Sequence, residues 1–478
     1  MRRWLRALLS LLDRMLRVRV DSGVRLSPID KEPPDPLGAR AVVDLAARIG
    51  EVALASGASA ADTTAMVLRV LYSQGVRAHV DVTFTSVTVS YTHNDDIDPI
   101  TRMRVVRALG MDYDLLAWLE RRVDAVCTGQ QTVEQTRRRL LTQKRNRPLY
   151  REWVLLAAAG VQGAAICALI GGRLGDALLA GLGTMLVDAT VRALARRRIS
   201  GFVGYLVAGA IPAAIGLAVM QLRLSGADEL WVLSPSLIVA TGMITMLAGM
   251  GVVSASQDAL DGFYITSAAR TIDFVSRTGG LVLGVAATLW VGVQVGVPTY
   301  LAPEWQAQPP GLIQVAVAVP FCVAFAMTTW LGPRSAIICG LLGGLGYLIY
   351  LAGMAATGIH QLSAGLMALG VGVLATLVSG RLGVPRIALI TVAIAPQMPG
   401  LMLYRAVFPA VTGQAAQNSG DDPAALLVAS LLAGAALALG ASLGVTLARN
   451  VAPPTERFAL HALWRSWSRG QAPRSGVE

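Results

Sequence analysis

Two kinds of pattern divide this chain near Arg151. Before it, apolar positions recur at helical or alternating spacing between frequent charges. After it come runs of about 20 residues with almost no charge, long enough to cross a hydrocarbon core of about 30 Å. Ten spans are read, at 153–171, 176–195, 201–221, 231–254, 271–296, 311–331, 335–354, 361–380, 385–410 and 424–448. They group as a first five-helix transmembrane half over 151–297 and a second over 311–449, with a tail over 450–478. The stretches "SPSLIVATGMITMLAGMG" from Ser234 and "VPRIALITVAIAPQMPGL" from Val384 each open on a proline and break about fourteen residues later. An odd number of spans per half inserts the second copy upside down, which predicts two inverted repeats with a site at the interrupted helices. Chance likeness between Gly-rich helices is the competing reading.

In the part before Arg151, Trp4, Leu5, Leu8, Leu12, Met15 and Leu16 fall opposite Arg2, Arg3, Arg6, Ser10, Asp13 and Arg17. Residues 1–20 therefore read as a basic amphipathic helix on the membrane surface, with an ordinary soluble helix as the alternative. A Pro-rich linker, "SPIDKEPPDPLG", leads to an α+β domain over 40–145. Helical spacing runs over 40–55, and Ser59 with Asp62 makes a capping-box-like start for a second helix. Val80, Val82, Phe84 and then Val87, Val89, Tyr91 alternate as half-buried strands. Helices follow to about Gln143, one opened by Thr132 to Gln135. The fold class is thus mainly α: a polytopic membrane protein with about ten transmembrane helices plus a small α+β domain.

Composition agrees with lipid as the solvent. Of the 478 residues 54% are hydrophobic and 15% charged, against about 25% charged in soluble proteins, and the mean hydropathy is +0.56. The net charge of +11 sits mostly at the ends and in short loops, which suits anionic membrane lipids as partners and not nucleic acid. "KRNRPLYR", "RRR" at 196–198, Arg270, Arg334, Arg381 and Arg386 fall on one side of the spans, opposite Arg173 and Arg223. The positive-inside rule then predicts a multi-pass protein of the inner (plasma) membrane with both termini, and the α+β domain, in the cytoplasm. Phe458, Leu460, Leu463, Trp464 and Trp467 place the tail at the interface. Four scattered cysteines and four isolated histidines offer no metal site, and no cofactor motif occurs. The sequence leaves homo-oligomer formation open.

"LASGASAADTTAMVLRVLYSQGV", "IGGRLGDALLAGLGTML", "SQDALDGFYITSAARTIDFVSRTGGLVLGVA" and "APQMPGLMLYRA" carry a resemblance to the threonine/serine exporter family, over nearly all of the chain after residue 40. The resemblance implies ten spans, a cytoplasmic amino-terminal domain and export of small hydroxylated amino acids driven by the proton gradient, with relatives linked to dicarboxylates. "SASQDALDGFYIT" departs from the family pattern, which leaves the substrate open between threonine or serine and a C4 dicarboxylate such as succinate.

Charges inside spans mark candidate chemistry, because each costs about 2.5 to 3.5 kcal/mol at a helix centre. Asp188, one turn before Arg192, is either a proton-coupling carboxylate or half of a structural pair. Arg270, Asp273 and Arg277 share one helix face: Arg277 suits a substrate carboxylate, Asp273 either neutralises the arginines at rest or exchanges a proton, and Arg270 is either a cytoplasmic entry site or a membrane anchor. Asp258 and Asp261 read as caps or ion pairs, or as part of the cytoplasmic entry. Pro396, Pro399 and Gly400 break an apolar span, which exposes backbone groups to a substrate or merely kinks it. Gln397 and Tyr404 are candidate substrate contacts, Ser254 and Ser256 their counterparts in the break at 248–256, and Arg405 an outer anchor. An enzymatic alternative, with Ser56, Ser59, His79, Asp81 and His93 as a hydrolase triad, lacks an elbow motif. A further reading makes the amino-terminal domain a sensor or assembly module that gates the pore.

Overall fold

The computed structural model describes residues 35–92, 99–107, 110–142, 149–224, 233–246, 250–297, 309–412 and 422–451. The expected surface helix at 1–20, His93, the tail beyond 451 and residues 247–249 of the expected first break lie outside the described residues.

In the amino-terminal domain, α1 (Pro36–Ala55) starts where Asp35 accepts the Gly38 N–H at 3.0 Å and Pro36 fills the first turn. Helix α2 (Ala60–Ser73) is capped by Ser59, whose Oγ accepts from Asp62 N at 3.0 Å. The Asp62 carboxylate, shorter than the Glu of a full capping box, takes the Ser59 hydroxyl at 3.0 Å instead. Strands β1 (Ala78–Val82) and β2 (Ser86–Tyr91) pair antiparallel with Val80 opposite Val89. Phe84, read as part of a strand, sits in the bend between them. A third strand that the pattern did not predict, β3 (Ile100–Val105), adds antiparallel to β2. Its Thr101, Arg102, Met103 and Val105 are exposed, so it lacks the apolar alternation of a half-buried strand. Two helices complete the domain: α3 (Tyr113–Cys127) and α4 (Val133–Thr142). Thr132 and Gln135 cap α4 reciprocally, each backbone N–H meeting the other's side-chain oxygen at 3.2 Å.

The membrane part runs α5 (Glu152–Leu169), α6 (Leu174–Arg196), α7 (Gly201–Leu224), α8 (Pro235–Met246), α9 (Met250–Leu260) and α10 (Tyr264–Gln294). It continues with α11 (Gly311–Thr328), α12 (Pro333–Thr357), α13 (His360–Leu382), α14 (Arg386–Ile394), α15 (Gly400–Thr412) and α16 (Pro423–Val451). Among the described residues nine helices are long and apolar enough to cross a membrane, counting α8 with α9; the α14–α15 pair, bent by 45°, makes a tenth. Helix α10 starts seven residues before the expected 271, so Arg270 and Asp273 lie well inside a 31-residue helix.

The break between α14 and α15 follows from its sequence. Helix α14 tightens into a 3-10 turn at Ala395–Gln397, Met398 is extended (φ −63°, ψ 142°), and Pro399 has no N–H to continue a ladder. Gly400 does not adopt a positive φ. It is needed for space: a Cβ there would lie 3.1 Å from Ile244 Cγ2 and 3.3 Å from Ile244 O on α8.

The two halves pack alike. In each, the first span packs on the second (α5 on α6, α11 on α12) and the third on the fifth (α7 on α10, α13 on α16). Glycines close both third–fifth contacts: a Cβ on Gly284 would overlap the Leu206 carbonyl, and one on Gly444 the Leu369 carbonyl. The fourth span of the second half is the bent pair, and its C-terminal piece, α15, touches α10 of the first half; α9, in the same place of the first half, touches α16.

Candidate functional site

A cavity of about 530 Å³ opens where α7, α9, α10, α14 and α16 meet the amino-terminal domain. Ser254, Asp258, Asp261, Arg270, Asp273 and Arg277 line it. The charges that lipid would reject therefore face one shared space, with partners at hand.

Arg277 is the deepest of them along α10. Its Nε donates to Asp273 Oδ1 at 3.0 Å, one turn earlier, and its Nη1 to the Tyr205 hydroxyl of α7 at 3.5 Å. The guanidinium also lies 5.5 Å from the Tyr205 ring centroid, within cation–π range. Arg277 and Asp273 keep 42% and 38% of their side-chain surfaces open, so guanidinium donors remain available to a solute. Arg270 is held differently. Its Nε meets Asp258 Oδ2 at 2.5 Å, the Asp258 side chain is only 1% exposed, and the Arg270 guanidinium lies 5.5 Å from the Phe84 ring. Asp258 Oδ1 also accepts from Ala60 N at 3.4 Å.

At the domain end of the cavity Asp261 sits in the turn between α9 and α10. Burial, with the charges of Asp62 and Asp258 adding to it, pushes its carboxyl up to about 6. Asp62 of the domain reaches Arg386 of α14 at 3.7 Å, and both line the cavity. Tyr113, 2% exposed, closes the same end: its N–H donates to Thr329 O at 3.2 Å, and its hydroxyl reaches the Thr391 side chain. Burial pushes its phenol up to about 12, against the lowering effect of Thr391.

The other predicted residues are not brought to this space. Ser256, Pro396, Gln397, Pro399, Gly400 and Tyr404 do not line the cavity; at the break Ile394 and Met398 do. Gln397 is buried against Tyr347 of α12, and Tyr404 lies in an apolar cluster with Leu237, Met243 and Leu281. Asp188 pairs with Arg192 at 2.6 Å on α6, away from the cavity. Tyr205, Asp62, Arg386, Thr391 and Tyr113 were missed. Tyr205 had a signal, a lone hydroxyl in an apolar span; Asp62 and Tyr113 had none, because they reach the site only through long-range packing.

Among the described residues the imagined hydrolase triad does not assemble. Ser56 Oγ donates to Val52 O at 2.8 Å, Ser59 Oγ is committed to Asp62, and His79 and Asp81 project from the exposed face of β1.

Comparison with known families covers both halves. The family model described as "Putative threonine/serine exporter" matches residues 44–292, and "Threonine/Serine exporter, ThrE" matches 314–447. The "Probable threonine/serine exporter" of Mycobacterium tuberculosis is 32% identical over 429 residues, 88% of this chain and 78% of that protein. The "Threonine/serine exporter" of Corynebacterium glutamicum is 27% identical over 458 residues, 90% of each chain. No solved structure matches. With a cavity among the spans lined by an arginine–carboxylate pair and family matches over both halves, the chain belongs to the threonine/serine exporter family of membrane transporters and is not an enzyme.

Proposed function

We propose that the protein exports threonine and serine from the cytoplasm in exchange for protons, by alternating access between two inverted five-span halves. The observation that carries this reading is the Arg277–Asp273 pair, backed by Tyr205 and open to the cavity. An amino acid zwitterion offers complementary charges. Its carboxylate takes the free guanidinium donors of Arg277 through charge-assisted hydrogen bonds, and its ammonium takes Asp273. Once the amino acid leaves on the far side, a proton occupies Asp273 in its place. Because ammonium and proton compete for one carboxylate, each outward passage is tied to a proton moving inward.

The equivalent packing of first-on-second and third-on-fifth spans in both halves supports the inverted repeat. Inner-membrane placement with cytoplasmic termini is supported by the arginines that cluster at the domain end of the spans. Asp188 is assigned to structure, and Pro396, Pro399 and Gly400 to the bend that sets Met398 at the cavity wall. On α10, Arg270 is already committed to Asp258 at 2.5 Å, which leaves Arg277 as the open guanidinium of that helix and favours a solute with one carboxylate.

The test is reconstitution into liposomes with an imposed pH gradient and labelled serine, threonine and succinate. Gradient-dependent flux of the first two is expected. Flux of succinate alone, or flux of none of the three, overturns the proposal.

A further inference from the structure

The amino-terminal domain meets the membrane part in two chemically different ways. Toward the second half its apolar core is continuous with the bundle: Leu45, Ile49 and Leu116 share one buried cluster with Phe321, Leu331 and Leu389. A backbone hydrogen bond reinforces that side, Tyr113 N to Thr329 O at 3.2 Å. Toward the first half the contacts are mainly polar. Ala60 N meets Asp258 Oδ1 at 3.4 Å, Thr266 Oγ1 donates to Val82 O at 3.3 Å, and Arg270 lies over Phe84. Phe263, at the start of α10, adds an apolar contact with the domain core.

These two sides differ in how easily they separate. Parting the domain from the second half would expose the apolar side chains at their seam to water, at about 25 cal/mol per Å². The two hydrogen bonds to the first half are long, at 3.4 and 3.3 Å, contribute about 0.5 to 1.5 kcal/mol each, and are replaced by bonds to water once the contact opens. The domain is also a wall of the cavity, since Ser59, Asp62, Phe84 and Tyr113 line it. A solute at Arg277 therefore lies behind the domain.

Building on the transport reading, we infer that the domain is the inner gate of the cavity. It is hinged on the second half, latched to α9 and α10 through Asp258, Thr266 and Arg270, and carries Tyr113 as the plug above Thr391. The site is then composite: the domain moves with the second half, and the latch opens when α9 and α10 shift against it. Asp62 and Arg386 sit on the same moving body, so their pair stays closed throughout.

The full-length protein with Val82→Cys and Thr266→Cys, and with the half-buried Cys127 changed to Ser, tests this. Oxidation or a short bismaleimide links the latch. A third cysteine, Met250→Cys, reports the cavity wall through its reaction with a membrane-impermeant maleimide applied from the domain side. Linking is expected to lower both the labelling rate and amino acid flux at least tenfold, and reduction of the disulfide to restore both. Equal labelling of the linked and unlinked protein overturns the gate. Labelling needs no transported solute, so a link-dependent labelling rate without threonine or serine flux upholds the gate while refuting the assigned cargo. A protein that exports at full rate while linked refutes the need for unlatching.

Discussion

Arg277→Lys isolates what the guanidinium geometry contributes, because it keeps the charge and removes the fork. An ammonium at this position loses the planar pair of donors that a carboxylate fits, and the stacking over Tyr205 at 5.5 Å weakens. One charge-assisted hydrogen bond is worth about 1.5 to 3 kcal/mol. The 42% exposure of Arg277 puts the loss near the low end of that span, since water competes for the same groups. A loss of about 1.5 kcal/mol corresponds to roughly a tenfold rise in half-saturating substrate concentration. The assay is initial-rate uptake of labelled serine into proteoliposomes over a range of concentrations at fixed pH gradient. The same change at Arg270 serves as contrast: that side chain is committed to Asp258 and contributes no donor to the substrate, so its half-saturation should stay within about twofold while the maximal rate falls. If the two variants show the same change in half-saturation, or Arg277→Lys shows none, the assignment of the substrate carboxylate to Arg277 is refuted.

Three further outcomes follow from the same geometry. Asp273→Asn should abolish the response of serine flux to a pH gradient and raise half-saturation for serine exchange between equal pools, because the same carboxylate takes the ammonium; a normal gradient response moves the proton elsewhere. Asp188→Asn breaks only a half-exposed i,i+4 pair worth about 0.3 to 0.5 kcal/mol, so flux should stay within about twofold of the parent. The latch should weaken as pH rises. Asp261 is pushed up to about 6, by burial first and by Asp62 of the domain second. An acid with a raised value favours the docked, protonated state below its ordinary range near 4, and that contribution is lost as pH rises through about 6. Labelling of Met250→Cys, normalised to an exposed cysteine, should therefore increase several-fold between pH 5 and pH 8, and Asp261→Asn should flatten the rise.

What could be read in the sequence was what lipid enforces. A bilayer demands long apolar runs, so the spans were visible, and it penalises charge, so Arg277 and Asp273 stood out on α10 before any contact was known. The prolines at 396 and 399 announced the bend for the same reason. Side-chain direction was not legible there: Gln397 and Tyr404 look polar in one dimension, yet the 45° bend turns them toward α12 and an apolar cluster. Strand β3 escaped because exposed Thr101, Arg102 and Met103 hide its alternation. Tyr113 and Asp62 escaped because nothing near them in the chain encodes a docking surface more than 200 residues further on.

The apolar cluster that joins Leu45, Ile49 and Leu116 to Phe321, Leu331 and Leu389 also bears on how the protein is made. Phe321 leaves the ribosome about 200 residues after Leu116, and Leu389 about 270 after it. At about 5 to 20 residues per second, the amino-terminal domain waits at least some 10 to 40 seconds with that face uncovered. During that interval its partner helices have not yet been inserted. The chain thus completes its soluble part last, although it is synthesised first, and its biogenesis calls for something to shield that face until the second half arrives.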